Sequence, residues 1–239
     1  MAVATALPTA VRDLAAGTVA VRAGVPAVIA LRGALAGSAF TVGSLVPLML
    51  TLVHGYSPVA AGAPLMAGAL GWSGASWWQG RHRGLARHRL VRVGFVLVAA
   101  AALSMAAVAQ PGVPGWLAYP VWLLAGLGAG LAMPSIGVLL LAMTPPARRG
   151  ADSAALQISD ATASALCIGC GGALVAAATR GAFSLSSAAL VVNVLMAALA
   201  ATAAALAGRA RHPGGAPAPG LGRAAGCPSP GELCADNYS

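Results

Sequence analysis

The chain has 239 residues, of which 59% are hydrophobic and 8% are charged, and its net charge is +9. Soluble domains carry about a quarter charged residues, so this chain has too few charges to cover a water-facing surface. The composition excludes a soluble globular protein, and it excludes disorder everywhere except at the chain ends. A mean hydropathy of +0.82 favours an integral membrane protein surrounded by the lipid bilayer.

Six apolar segments are long enough to cross roughly 30 Å of hydrocarbon as α-helices, and they are too long for barrel strands. The spans are predicted near residues 27–53, 59–79, 91–110, 117–143, 153–178 and 184–207. The predicted fold class is an all-α membrane protein with a six-helix domain over 25–207. Residues 1–24 are predicted to form a cytoplasmic leader or linker, with a seventh span as the alternative. Residues 208–239, rich in Gly and Pro, are predicted to be a disordered cytoplasmic tail.

The arginines predict the orientation of the chain. All 14 cationic residues are Arg, and 13 of them belong to the termini and to connections on one side of the predicted bundle. Only Arg180 lies on the other side. Positive charge marks the cytoplasmic side of a membrane protein, so both termini are predicted to be cytoplasmic, in the plasma or inner membrane. Because these arginines flank apolar runs, we expect no nucleic-acid partner.

Asp160 is the most informative residue of the fifth span. It follows Asp152 by eight residues, which places it about 12 Å into the membrane if the helix begins there. An intramembrane carboxylate is costly and indicates a functional site. Ser153, Gln157, Ser164, Cys167 and Gly171 share its helix face at spacings of three and four. Two interpretations stay open: a cavity wall where burial disfavours the charged carboxyl and suits proton exchange, or a buried Asp that fixes helix packing.

Further candidates for a substrate cavity lie in the second and sixth spans. Trp72 and Ser73 lie deep enough to contact an apolar ligand. Asn193 is a cavity candidate for which helix packing is the favoured role. Arg32 is predicted to extend toward the cytoplasmic surface, as long cationic side chains near helix ends do. No group of residues predicts a metal site or a cofactor.

Small residues predict close helix contacts at two places. Gly126 and Gly130 form a GxxxG pattern in the fourth span, where such a pattern is commonly a packing surface. Ala165, Gly169 and Ala173 repeat small residues on a second face of the fifth span, which also favours close helix approach.

The second span contains a pattern that is typical of one class of enzyme. Gly71-Trp72-Ser73-Gly74 matches the GxSG pattern of intramembrane serine proteases, which need a histidine in another span to activate the serine. The four histidines, His54, His82, His88 and His212, all fall in predicted loops or in the tail. The chain is therefore not expected to be an enzyme.

Several stretches in this order resemble the C-terminal half of a major facilitator superfamily transporter, most closely the proton-coupled drug-efflux members with fourteen spans. The matching stretches are residues 47–50, 68–72, 76–77, 79–81, 126–130, Met133-Pro134 and 153–160. The resemblance covers residues 17–207 and implies proton-coupled efflux of small amphipathic compounds. Asp160 corresponds to a span-five Asp of related efflux proteins, whereas the acidic residue that relatives often carry near Gly43 is absent.

The resemblance also implies a gating loop and a missing half. The loop from Arg81 to Arg92, with Arg83, Arg87 and Arg89, occupies the place of the second copy of the family's cytoplasmic gating motif, although it lacks an acidic partner. The family moves two six-span halves against each other around a substrate at the midplane. We therefore expect the chain to belong to a longer protein, to pair with a separate half, or to form a homodimer. A non-transporting subunit or an inert fragment is the alternative.

Overall fold

A computed structural model describes residues 24–82 and 84–210, with the side chains of all of these except 209 and 210. The leader predicted over 1–24 and the tail predicted over 208–239 therefore lie almost entirely outside the described residues, as does Arg83. No strand occurs in the described part of the chain, which confirms the prediction of an all-α fold for that part.

Six long helices make up the described part of the chain. They are α1 (Val25–Leu52), α2 (Pro58–Arg81), α3 (Arg87–Val108), α4 (Ala118–Met143), α5 (Arg149–Thr179) and α6 (Leu185–Leu206). Short 3-10 turns at Gly115–Leu117, Pro146–Arg148 and Ala207–Ala210 flank α4, α5 and α6. Five of the long helices, all but α2, are long and apolar enough to cross a membrane. By length and composition the chain is therefore suited to be a multi-pass membrane protein.

Helix α2 is the predicted span that is not apolar enough, by mean hydropathy, to be counted with the other five. Glycine, proline and tryptophan dilute its aliphatic content. The turn that precedes α2 is held at the end of α3, because His54 Nε2 lies 2.8 Å from the carbonyl oxygen of Val108. Since α3 begins at the other end of the bundle, α2 runs the full length between the two ends.

Helices α2 and α4 lie side by side and run in the same direction. Gly68 meets Gly126, and Trp72 meets Gly130 one turn further along both helices. A Cβ atom at Gly126 would overlap the carbonyl oxygen of Gly68, so the backbones touch directly. The GxxxG pattern of the fourth span is a helix-packing surface, as the sequence predicts.

The core lies between α1, α3, α4 and α6. Phe95 is fully buried in the main hydrophobic cluster together with Leu35, Val91 and Ile136. Val28 near the start of α1 and Ala207 just after α6 belong to the same cluster, so both ends of the described chain lie at one end of the bundle. Helix α5 is at the edge of the bundle, because only 17% of its apolar 18-residue segment is buried. Much of α5 is therefore left without a partner helix.

Candidate functional site

Two glycines of α1 let α5 approach closely. A Cβ atom at Gly33 would lie 2.6 Å from Ser159 Oγ, and one at Gly37 would lie 2.9 Å from Cys167 Sγ. Ser159 Oγ also donates a hydrogen bond of 3.0 Å to the carbonyl oxygen of Ile29. Because these contacts follow one another in the same order along both helices, α1 and α5 run parallel. The close approach brings side chains of normal length on both helices within reach of each other.

Arg32 and Asp160 form an ion pair across this contact. Asp160 Oδ2 accepts hydrogen bonds from Arg32 Nη2 at 2.6 Å and from Arg32 Nε at 2.8 Å. Each side chain is 16% exposed. The prediction that Arg32 extends toward the cytoplasmic surface is therefore wrong. Its guanidinium contacts the carboxylate of Asp160 on α5 instead, because an opposite charge lies within hydrogen-bond distance.

Within the part of the chain that the structure describes, the two charges of this pair balance only each other. Helices α1 and α6, which pack against α5, contain no other titratable residue than Arg32. Helix α4 touches α5 only slightly, and its single titratable residue, Tyr119, lies near the opposite end. On α5 itself the remaining titratable residues of the membrane segment are Cys167 and Cys170, both free thiols. Any change in the protonation of Asp160 is therefore a change in the charge balance of Arg32.

An aromatic groove of about 320 Å³ opens between α1, α2 and α4. Its walls contain both cavity candidates of the second span, Trp72 and Ser73. Its remaining lining is apolar: Ala39, Phe40, Leu65, Gly68, Ala69, Trp122, Ala125, Gly126 and Ala129. Its volume lies at the lower end of the range of small-molecule pockets, about 300–1,000 Å³. The groove thus suits a small ligand with a flat apolar body.

Trp122 was not recognised as a wall residue from the sequence. Its indole ring fills the space that glycine leaves at Gly43 on α1 and Gly68 on α2, with ring atoms 2.9 Å and 2.5 Å from where the Cβ atoms would be. A bulky aromatic residue facing two glycines of other helices is a three-dimensional relationship that no local pattern carries. The position of Gly43 is thus used for aromatic packing.

The ion pair and the groove share one face of α1. Ala39 in the groove wall follows Arg32 by seven residues, so the two side chains point in nearly the same direction about 10 Å apart along the helix. Trp72 packs against the hydrophobic cluster that contains Leu35, one turn from Arg32. The charged pair therefore lies just beyond one end of the apolar groove.

The structure places the other cavity candidates elsewhere. Gln157 is exposed and Ser164 is half-buried on α5, on either side of Asp160 along the helix, and neither lines the groove. Asn193 is fully buried, and its Nδ2 donates to the carbonyl oxygen of Ala189 at 2.8 Å. Asn193 thus packs inside the bundle, away from the groove, because α6 faces α1 and α3. This agrees with helix packing and not with a role in the cavity wall.

The small-residue face of Ala165, Gly169 and Ala173 also differs from expectation. A Cβ atom at Gly169 would meet no other atom within 4 Å, and Ala165 and Ala173 are exposed. Among the described residues, this face packs against no other helix. The close approach of α5 uses the side that carries Ser159 and Cys167 instead, because that side faces the glycines of α1.

The predicted gating loop is tied to the bundle through Gln79, which sequence reasoning did not single out. Gln79 is 2% exposed. Its Oε1 accepts hydrogen bonds from Arg87 Nη1 at 2.8 Å and from Ser135 Oγ at 3.0 Å. Its Nε2 donates to the carbonyl oxygen of Leu131 at 3.0 Å. One buried amide thus joins the end of α2, the start of α3 and the middle of α4.

The other arginines of the loop have different surroundings. The guanidinium of Arg81 lies 4.0 Å from the ring centroid of Trp77, a cation–π contact. Arg89 is exposed, and Arg83 lies outside the described residues. The acidic partner that the sequence lacks is therefore replaced, for Arg87, by the neutral carbonyl of Gln79.

The serine of the GxSG pattern has no histidine beside it in the groove, whose lining residues include none. His54 lies in the loop before α2 and contacts Val108 at the end of α3. His82, at the end of α2, contacts the carbonyl oxygen of Trp78 at 2.9 Å.

Comparison with known proteins gives no match, either to a family model, to a curated protein or to a solved structure. The candidate site is therefore interpreted from its own geometry and chemistry.

Proposed function

We propose that the chain is one six-helix half of an alternating-access membrane transporter of the major facilitator type. It moves a small apolar or amphipathic compound and is coupled to protons, with export as the direction that the sequence resemblance implies. The observation that carries this proposal is the Arg32–Asp160 ion pair, 16% exposed on both sides, beside an aromatic groove in an apolar bundle. Ionisable residues within membrane spans are rare and commonly mark substrate or proton pathways.

Proton coupling acts on the ion pair. A proton that reaches Asp160 Oδ2 neutralises the carboxylate and removes the attraction that holds Arg32 against α5. Loss of the proton recharges Asp160 and draws the two helices together again. A proton therefore interacts differently with a paired and an unpaired arrangement of α1 and α5, which is what a ligand needs in order to shift a conformational equilibrium.

The proposed topology has six spans with both termini in the cytoplasm. Helix α2 counts as a span because it runs beside α4, an apolar helix, in the same direction and along the full length of the bundle. The arginine-rich end of the described chain, which carries Arg81, Arg87, Arg89, Arg92, Arg148 and Arg149, is assigned to the cytoplasm. The opposite end carries Arg180.

The open face of the bundle is assigned to a partner. The groove opens between α1, α2 and α4, and most of α5 is unpacked beside it. A second six-helix unit, either a separate half or a second copy related by an axis along the membrane normal, would close this face as the two halves of the family do. The substrate then lies between the two units.

Proton movement in proteoliposomes tests the proposal. The purified chain is reconstituted with a pH-sensitive dye inside, and naphthalenesulfonate, naphthylmethanol and naphthylmethylammonium are added in turn under an imposed pH gradient. We expect at least one compound to change the rate of proton movement, and Asp160→Asn to abolish that change. Asp152→Asn, which alters the other acidic residue of α5 outside the ion pair, is the matched control and keeps it.

Two other functions give different results in the same system. A non-transporting subunit or an inert fragment yields no compound-dependent proton movement with the unaltered chain. An intramembrane protease would cleave a membrane-embedded peptide substrate, and Ser73→Ala would stop that cleavage. We expect no cleavage from the unaltered chain.

A further inference from the structure

We infer that the groove takes an amphipathic organic anion, with a flat apolar body between Trp72, Trp122 and Phe40 and an acidic group on Arg32. This inference rests on the proton coupling of the proposed function, because it requires Asp160 to release Arg32 when it takes up a proton. It replaces the export direction, because an anion and a proton that bind together cross the membrane in the same direction. It adds the chemical class of the substrate, which the apolar walls of the groove alone do not specify.

Arg32 keeps its charge throughout. A guanidinium is not deprotonated in proteins, so protonation of Asp160 leaves one uncompensated positive charge that is 16% exposed in an apolar bundle. An unpaired buried charge is strongly unfavourable. Among the described residues the only other acid is Asp152. It receives a hydrogen bond from Thr144 Oγ1 at 3.0 Å and lies near Arg148 at the start of α5, so it does not replace Asp160.

A ligand carboxylate or sulfonate restores the balance. It occupies the place of the Asp160 carboxylate on the guanidinium, where an anionic oxygen already sits 2.6 Å from Nη2 in the ligand-free pair. Arginine donors match a planar carboxylate particularly well. Arg32 and Ala39, a residue of the groove wall, lie on one face of α1. A single ligand can therefore place its acidic group on Arg32 and its apolar body in the groove.

The same geometry disfavours a cationic ligand. The groove lining contains no acidic residue, and the one carboxylate nearby is already held by two donors of Arg32. A cation bound at Asp160 would displace a permanently charged guanidinium and leave it unpaired. The groove is thus expected to discriminate by charge as well as by shape.

Competition between the ligand acid and Asp160 has a consequence for coupling. The anion binds when Asp160 carries a proton, so the anion and the proton are bound to the protein at the same time. Exchange of substrate for proton, which the efflux resemblance implies, would instead require them to exclude each other. The sign of the effect of pH on ligand binding separates these two schemes.

Binding to the full chain in phosphatidylcholine nanodiscs tests the inference without transport. Naphthalenesulfonate stays anionic at all working pH values, and naphthylmethanol and naphthylmethylammonium share its ring system. By calorimetry we expect Asp160→Asn to bind naphthalenesulfonate about tenfold more tightly than the unaltered chain at neutral pH. Acidification is expected to tighten binding to the unaltered chain and to have little effect on Asp160→Asn.

Two further variants separate the acidic group from the apolar body. The double variant Arg32→Gln/Asp160→Asn has no unpaired charge, and we expect it to lose the preference for naphthalenesulfonate over naphthylmethanol. Trp72→Ala is expected to weaken all three compounds alike. Tighter binding of naphthylmethylammonium than of naphthalenesulfonate, or unchanged sulfonate binding in the double variant, would overturn the inference.

Two more results distinguish the possible failures. Displacement of naphthalenesulfonate by added phosphatidylglycerol would mean that Arg32 holds a lipid headgroup, and the substrate class would be withdrawn. Charge-selective binding without proton movement in liposomes would instead contradict the transport proposal and leave the anion site in place. Proton movement with the ammonium compound alone would keep the transporter and reject the anion.

Discussion

Arg32 Nη2 lies 2.6 Å from Asp160 Oδ2, and this ion pair joins α1 to α5 although the two residues are 128 positions apart in the chain. Loss of one partner leaves the other charge uncompensated in an apolar environment. We expect Arg32→Gln and Asp160→Asn each to lower the free energy of unfolding by about 3–5 kcal/mol. The double variant should lose less than the sum of the two, since it leaves no lone charge. Denaturant titration of the purified chain in detergent measures these differences.

Arg92→Gln is the control for loss of positive charge alone. Arg92 lies in the first turns of α3 and is exposed, so we expect a change within about 0.5 kcal/mol. Additive losses in the double variant would show that Arg32 and Asp160 are not coupled.

Gly126 provides a test of the contact between α2 and α4. A Cβ atom there would meet the backbone of Gly68, which cannot rotate away as a side chain can. We expect Gly126→Ala to lower the free energy of unfolding by about 1–3 kcal/mol, the usual effect of overpacking. Thermal unfolding monitored by circular dichroism is the measurement.

Gly137→Ala is the matched control on the same helix. A Cβ atom at Gly137 would meet nothing within 4 Å. Since Ala favours a helix over Gly by about 1 kcal/mol, this variant should be as stable as the unaltered chain or slightly more so. Equal losses for the two variants would contradict the close packing of α2 on α4.

The loop between α2 and α3 gives a third prediction, because its arginines are not equivalent. Arg87 donates to the buried Gln79, whereas Arg89 is exposed. We expect Arg87→Ala to lower the free energy of unfolding by about 1–2 kcal/mol, the effect of losing a hydrogen bond from a charged, partly exposed group. Arg89→Ala should have almost no effect. Equal effects would mean that the loop interacts only through its overall charge.

The helices are the part of the fold that the sequence predicts well. All six apolar runs are helical, and their predicted ends lie within a few residues of the observed ones. The larger differences are at the starts of α3 and α5, where the helix begins at Arg87 and Arg149, ahead of the apolar run. Hydropathy marks the part of a helix that suits lipid, whereas arginine favours a helix nearly as well as alanine.

The candidate site was predictable only in part. Asp160 and Trp72 are unusual residues for their positions, so a single sequence is enough to single them out. The partner of Asp160 depends on the rotation of α1 against α5, which the contacts at Gly33 and Gly37 set in three dimensions. Trp122 was missed for the same reason, because its role depends on glycines of two other helices.

The direction in which α2 runs gives the last prediction. Ser57 precedes α2 and is exposed, and Gly84 follows it at the other end of the bundle and is also exposed. If α2 crosses the membrane, cysteines at these two positions lie on opposite sides. In a background with the native cysteines replaced by serine, we expect a membrane-impermeant maleimide to label Ser57→Cys from outside intact cells. It should label Gly84→Cys only after the membrane is opened.

Gly112 and Gly181, in the two other loops at the Ser57 end, calibrate this experiment. Gly112 is exposed with no neighbour within 4 Å of a Cβ atom, and Gly181 has a positive φ of 88°, so Gly112→Cys is the better marker. It should be labelled together with Ser57→Cys. Labelling of Gly84→Cys and Ser57→Cys from the same side would mean that α2 does not cross. The chain would then have five spans with its termini on opposite sides, and the arginine-rich loop could not share the side of the N-terminus.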